Sequence, residues 1–274
     1  MRAISILYHD VITGEAADSS GLPGRGAAAY KLPSEDFLRH LSAIADTLEE
    51  PPMTATELLV LKPGRTPRLL TFDDGGVSAE TCIAEMLERH GWRASFFITT
   101  DYIGTPTFVD KQQIRDLRKQ GHTIGSHSCS HPARMSHCSW EELHGEWSRS
   151  TRILSDILGE EVNTASVPGG YYSRKVGIAA AESGIKVLFV SEPTTACHFE
   201  SGCLVVGRYT IRLGMAPETA AGIAAGSLAP RLGQFAFWNL KKAAKALGGQ
   251  AYLRLRARHF NRLVKNENQG YPPA

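Results

Sequence analysis

Thr71-Phe72-Asp73-Asp74-Gly75 ends an apolar run, and about fifty residues later the chain reads Ser126-His127-Ser128-Cys129-Ser130-His131-Pro132. One Asp with two His makes a three-ligand set for a divalent cation such as Zn²⁺. Positions stay open on that cation for water and substrate. The other Asp of the pair is then a spare carboxylate beside a polarised water, suited to act as general base. The chemistry these types point to is metal-assisted hydrolysis. Each half has a plainer reading. Asp-Asp-Gly alone is a common turn after a strand. His127 and His131 could hold a structural zinc with Cys129, Cys138 or His137, although the spacing matches no common finger.

Rigid elements must carry these residues. Short β-like runs fall at Ile4–Tyr8, Arg68–Phe72, Ala94–Thr99, Thr123–Ser126, Thr164–Val167, Lys186–Val190 and Val205–Ile211. Helix-like stretches lie between them at Ser34–Leu48, Ser78–His90, Lys111–Gln120, Ser139–Leu158 and Ser173–Ser183. Ser34 reads as a capping residue, and Glu35 and Asp36 favour a helix N-terminus there. Gly91, Gly121, Gly159 and Gly184 each fall just past a helix end, where glycine adopts a left-handed conformation cheaply. Repeated strand–helix units with buried strands imply a parallel sheet. The Asp pair ends the second strand and His127 follows the fourth. Both therefore reach the C-terminal mouth of the strands, where barrel enzymes place their sites. Residues 11–29, rich in Gly, Ala and Ser, are expected to form a mobile loop over that face.

At 274 residues the chain can build an α/β barrel as one domain. Its 42% hydrophobic and 21% charged residues are ordinary for a soluble enzyme. The net charge of +2 favours no charged partner, and nothing asks for nucleic acid. No window is long and apolar enough to span a bilayer. The first ten residues read as a strand, without a signal peptide's longer apolar core. Five cysteines, an odd number with no CxxC pair, suit a reducing compartment, so a cytoplasmic location is expected. From Thr219 to Asn266 there are nine bases and no acid. The expectation is one or two terminal helices packed on the barrel with solvated basic faces. A surface for anionic lipid headgroups or an acidic glycan is the sharper alternative.

Taken together, the two motifs resemble those of the polysaccharide deacetylases, carbohydrate esterase family four. That family carries Thr-Phe-Asp-Asp-Gly and His-(Ser/Thr)-x-x-His on a distorted (β/α) barrel. Ala94-Ser95-Phe96-Phe97-Ile98 is similar to the family's intervening strand, and Gly121–His127 to its approach to the second motif. The resemblance runs from about residue 4 to about residue 212. It implies a barrel of about seven parallel strands over residues 1–215, with a basic helical extension over 216–274.

Carried over, Asp73 is the general base, and Asp74, His127 and His131 are the metal ligands. The family's third motif is Arg-x-Pro-(Tyr/Phe)-Gly. Here the stretch is Ser166-Val167-Pro168-Gly169-Gly170-Tyr171-Tyr172, so Ser166 stands where the Arg that holds the base is expected. Gly169 offers the N–H that helps bind an oxyanion. Tyr171 and Tyr172 are candidates to stack on a sugar. The family's fourth motif is not recognisable around Phe189–Pro193. Its fifth carries a catalytic His, which Val205–Ile211 lacks. Arg208 is expected in that place as a stabiliser of charge, because arginine is a poor proton donor. Asp73 after protonation, or His9, would then protonate the leaving amine.

These readings favour a metal-dependent hydrolase that removes an acyl group, N-acetyl foremost, from a sugar or polysaccharide intermediate. Two other classes stay open: a barrel that binds glycan without turnover, and an amidohydrolase of nitrogen metabolism.

Overall fold

The computed structural model describes residues 1–14, 16–62 and 64–240. Its strands are β1 (Ile4–Tyr8), β2 (Asp10–Ile12), β3 (Lys31–Pro33), β4 (Arg68–Phe72), β5 (Ser95–Ile98) and β6 (Thr123–Ser126). They continue with β7 (Thr164–Ser166), β8 (Val187–Val190), β9 (His198–Glu200), β10 (Cys203–Gly207) and β11 (Tyr209–Thr210). The helices are α1 (Arg25–Ala28), α2 (Ser34–Ala45), α3 (Ala84–Glu88), α4 (Lys111–Lys119), α5 (Trp140–Leu158), α6 (Arg174–Glu182) and α7 (Pro217–Ala224).

The main sheet runs β11-β1-β4-β5-β6-β7-β8-β10-β9, parallel throughout except where β9 lies antiparallel on β10. β10 and β11 are one strand broken at Arg208. Its first part pairs with β8 and its last part with β1. The broken strand therefore joins the two ends of the sheet. Counted as one, it makes seven parallel strands in a distorted (β/α) barrel, the number the sequence implies. Near the strand starts, residues 194–197 bridge the remaining gap: Ala3 donates to the Thr195 carbonyl (2.9 Å) and Cys197 to that of Met1 (3.1 Å).

Alternation along each strand sorts the core into layers. Leu69, Phe97, Val187, Phe189, Leu204 and Val206 meet inside, closed below by Ala55 and Leu58. The opposite faces, with Ile6, Leu70, Phe72, Phe96 and Ile124, pack against Phe37, Leu41, Ile114 and Leu117 of the helices. A further cluster joins Leu143 and Trp147 of α5 to Val176 and Ala179 of α6 and to Ala165, Leu188 and Val205 of the sheet. The inner parity continues upward to Asp73, His127, Ser166 and Arg208. The mouth of the barrel is thus the polar top of an otherwise apolar interior.

Helix boundaries follow local chemistry. Asp110 and Ser139 form capping boxes with Gln113 and Glu142. Gly91, Gly121, Gly159 and Gly184 all have positive φ. Ser34 is instead the first residue inside α2 and makes no capping bond; the acids Glu35 and Asp36 in the first turn serve that end.

The expected loop at 11–29 is partly ordered structure. β2 pairs with β3 in a small parallel sheet, and Ser20 is buried because its hydroxyl donates to the Asp10 carboxylate at 2.6 Å. The expected boundary at 215 also moves. The first compact unit runs from Met1 to Arg231, since α7 buries Ala220, Ile223 and Ala224 in the same cluster as Phe37 and Leu41 of α2. The second unit starts at Leu232, and its described part, to 240, is helical. The rest of the basic extension, 241–274, lies outside the described residues. Among the described residues no helix is long and apolar enough to cross a membrane.

Candidate metal centre and its base

The site grows from the ends of β1, β4, β6, β7 and β10. β4 stops at Phe72, and the Asp73 N–H donates to the Tyr8 carbonyl at 3.2 Å. The chain then turns sharply, with Asp74 at φ +75° and Gly75 at φ +85°. Ser128 (φ +64°) and His131 (φ +55°) are also left-handed. Such conformations cost non-glycine residues energy and concentrate where a fold must aim a side chain. Here they bend both loops inward, so that Asp74, His127 and His131 meet.

Asp74 Oδ1 lies 3.3 Å from His127 Nε2 and 3.4 Å from His131 Nε2. One ligand atom from each residue lies within 4.8 Å of the others. Two atoms each about 2.1 Å from a tetrahedral cation are about 3.4 Å apart, so the three residues fit a small divalent ion. The His127 Nδ1–H donates to the Ser166 carbonyl (3.1 Å), which fixes the tautomer with a lone pair on Nε2. Burial alone would raise the Asp74 carboxyl, but the imidazoles of His127 and His131 set against it hold it well below the usual carboxylate range.

The loop bearing His131 is anchored by a residue the motifs did not flag. Glu146 of α5 accepts from the Cys129 and Ser130 N–H groups at 2.8 and 2.9 Å, and from the Ser130 hydroxyl at 2.6 Å. Ser128 Oγ accepts from the His131 N–H at 3.1 Å. Cys129 is buried against Arg149, away from the ligand triad.

Asp73, the spare carboxylate, is buried beside the triad, with Oδ2 3.9 Å from His127 Nε2. Its partner is Arg208. The guanidinium binds it in a fork, Nη1 to Oδ1 at 2.7 Å and Nη2 to Oδ2 at 2.8 Å. Nη2 also donates to Ser166 Oγ at 2.8 Å, and the Ser166 hydroxyl lies 3.0 Å from both Asp73 oxygens. Burial pushes the Asp73 carboxyl upward, but the charge and hydrogen bonds of Arg208, with His127 beside it, leave it below the usual value.

This corrects the expectation for position 208. Arg208 does not stand open to the mouth in the place of a catalytic His; it is fully buried and committed to the Asp73 carboxylate. It does from β10–β11 what the resemblance assigns to an arginine at 166 on β7. Both positions share the interior parity and open onto the same pocket. The small Ser166 leaves the room that the guanidinium fills.

His9, just past β1, is half-buried with its ring 4.8 Å from Tyr30. Its Nδ1 is buried and has no hydrogen-bond partner. Burial lowers its pKa, while the nearby charges of Asp74 and Asp73 oppose that shift. Gly169 lies in a short turn with φ +60°, and its backbone is exposed. Tyr171 stands beside it: a β-carbon at 169 would lie 3.3 Å from the Tyr171 ring. Tyr172 turns away from the mouth. Its ring packs on the α5–α6 cluster, and its hydroxyl lies over Gly177, where an added β-carbon would be 2.7 Å away. The structure therefore removes Tyr172 from the candidate sugar-stacking residues.

The parallel barrel thus carries an Asp-His-His cluster and a spare, clamped carboxylate at its C-terminal mouth. Residues 62–188 match the family model described as polysaccharide deacetylase. YxkH of Bacillus subtilis, which carries a provisional polysaccharide deacetylase name, is 22% identical over 214 residues, covering 77% of this chain and 71% of that protein. The peptidoglycan-N-acetylglucosamine deacetylase PgdA of Listeria monocytogenes is 27% identical over 137 residues, covering 50% of this chain but 28% of that protein. A polysaccharide deacetylase structure from Bacillus cereus superposes with a TM-score of 0.68 at 16% identity, covering 82% of this chain and 69% of that one.

Proposed function

We propose that this chain is a metal-dependent deacetylase of an N-acetylated sugar, in which Asp74, His127 and His131 would hold Zn²⁺. The observation that carries this reading is the buried Asp73–Arg208 fork immediately beside a three-ligand cluster. A cation bound there would polarise the acyl carbonyl and bring the pKa of a water toward about 7. Asp73 accepts the proton of the attacking water through Oδ2, the oxygen that faces the ligands. Arg208 and Ser166 fix that carboxylate and keep it ionised. The Gly169 N–H would stabilise the developing oxyanion. His9 protonates the departing amine, since Arg208 is occupied and arginine holds its proton.

The glycan-binder alternative rested on two missing motif residues. Arg208 supplies the contact expected of one, and His9 supplies the proton expected of the other. The substrate would be a nucleotide- or lipid-linked intermediate of surface polysaccharide assembly. The odd cysteine count supports a reducing, cytoplasmic setting. The test is acetate release from a panel of N-acetylated sugars by the zinc-loaded chain. Asp73→Asn should keep its zinc and lose turnover, and His9→Gln should lower kcat by about 100-fold or more. Full activity in Asp73→Asn would refute the assignment. Hydrolysis of small ureides but no sugar would move the chain to amidohydrolase chemistry.

A further inference from the structure

Two loops meet at the rim of the mouth beside the ligand His131. The loop after β6 continues through Ala133 and Arg134. The loop after β7 carries Gly169 and Tyr171. A β-carbon at Gly169 would lie 3.7 Å from the Ala133 carbonyl and 3.3 Å from the Tyr171 ring, so the loops touch there. The Arg134 guanidinium carbon lies 5.6 Å from the Tyr171 ring centroid. The ring holds the cation in place without neutralising it. Among the described residues Arg134 has no carboxylate partner. Three acids of the surrounding elements are engaged with other groups: Asp101 pairs with Arg149 and Glu200 with Arg174, while Glu146 holds the loop amides. Elsewhere Arg212 lies over the ring of Tyr30, which is tilted against that of His9.

We propose that Arg134, seated on Tyr171, is a specificity residue that binds an anionic oxygen group on the sugar substrate, a carboxylate or a phosphate, on the acylated ring or its neighbour. This rests on the deacetylase reading above and narrows its substrate to an acidic N-acetylated glycan. A guanidinium suits such groups because it can donate two parallel hydrogen bonds. Its place next to Gly169 puts that contact within reach of a ring whose N-acyl carbon sits over the ligands. Arg134 takes no part in proton transfer; it sets which sugar is held.

The experiment compares neutral, uronate-bearing and phosphate-bearing N-acetylglucosamine oligomers with the zinc-loaded full chain, wild type, Arg134→Gln and Arg134→Lys. The wild type should favour one acidic series in kcat/KM. In Arg134→Gln that preference should collapse by on the order of 10- to 100-fold, through KM rather than kcat. Arg134→Lys should restore part of it. The uronate and phosphate arms identify the anion. Calorimetric binding of the corresponding deacetylated oligomers reads the same preference without turnover, so a failure of the deacetylase reading leaves this test intact. Equal effects of Arg134→Gln on neutral and acidic ligands, or a wild type that does not discriminate in binding, would overturn the proposal. Unfolding curves matched to wild type show that the variant is folded.

Discussion

Replacing Arg208 with Met leaves the carboxylate of Asp73 buried without its cation. The guanidinium is 0% exposed and donates both its fork bonds to Asp73 plus one to Ser166. In the variant Asp73 keeps only the Ser166 hydroxyl as a donor. Breaking a buried ion pair from one side costs about 3–5 kcal/mol. For a domain of this size each kcal/mol lowers Tm by about 2–4 °C, so a fall of about 10 °C is expected in chelated, metal-free protein. The double variant Asp73→Asn with Arg208→Met removes both charges and should be more stable than Arg208→Met alone, with a coupling of about 2 kcal/mol or more. The pH dependence has a definite sign. In the native chain the Asp73 carboxyl is depressed, so its stabilisation is complete above about 3.9 and is lost as pH falls through the lower folded value. In Arg208→Met, burial acts without the opposing cation and lifts the carboxyl. The deficit should then be small in acid and grow as pH rises through the raised value. Urea and thermal unfolding of the three variants across pH supply the measurement. Additive effects in the cycle, or a single-variant cost under about 1 kcal/mol, would refute the view that this fork orders the base.

Two other perturbations probe the surroundings. Asp74→Asn or His127→Ala should abolish stoichiometric zinc uptake by chelator-treated protein, whereas Asp73→Asn should bind zinc as wild type does; metal analysis after dialysis reads the difference. Gly76→Ala would place a β-carbon 1.9 Å from Asp10 Oδ1 and 2.7 Å from Ser20 Oγ, inside a buried network that packs against the Asp74 turn. It should cost about 2–3 kcal/mol in unfolding, with turnover falling in parallel.

The ligand cluster was legible because its parts are local. Asp73 and Asp74 end one strand, His127 and His131 follow another, and strand–helix alternation places both ends at one mouth. The base clamp was not. Asp73 and Arg208 are 135 residues apart, and nothing local links them. A signal did exist: Arg208 follows Leu204 and Val206 at strand spacing, so its side chain had to enter the interior, where a charge demands a partner. Glu146 was hidden for another reason. It lies on an amphipathic helix with other acids, and its worth comes from the loop amides it meets. Tyr171 and Tyr172 looked equivalent in sequence, yet adjacent residues in a turn face different ways, and one of them packs, partly buried, against the α5–α6 cluster. Short pieces such as β2 and β3 lacked the length to announce a period of two.

The broken last strand has an implication for reading distant relatives. Where side chains from every strand converge on one axial chamber, a required functional group has several possible points of attachment. It can migrate from one stave to another while its chemical duty stays put. An empty slot in a linear motif therefore says little about loss of activity until the other staves have been searched for a side chain reaching the same spot.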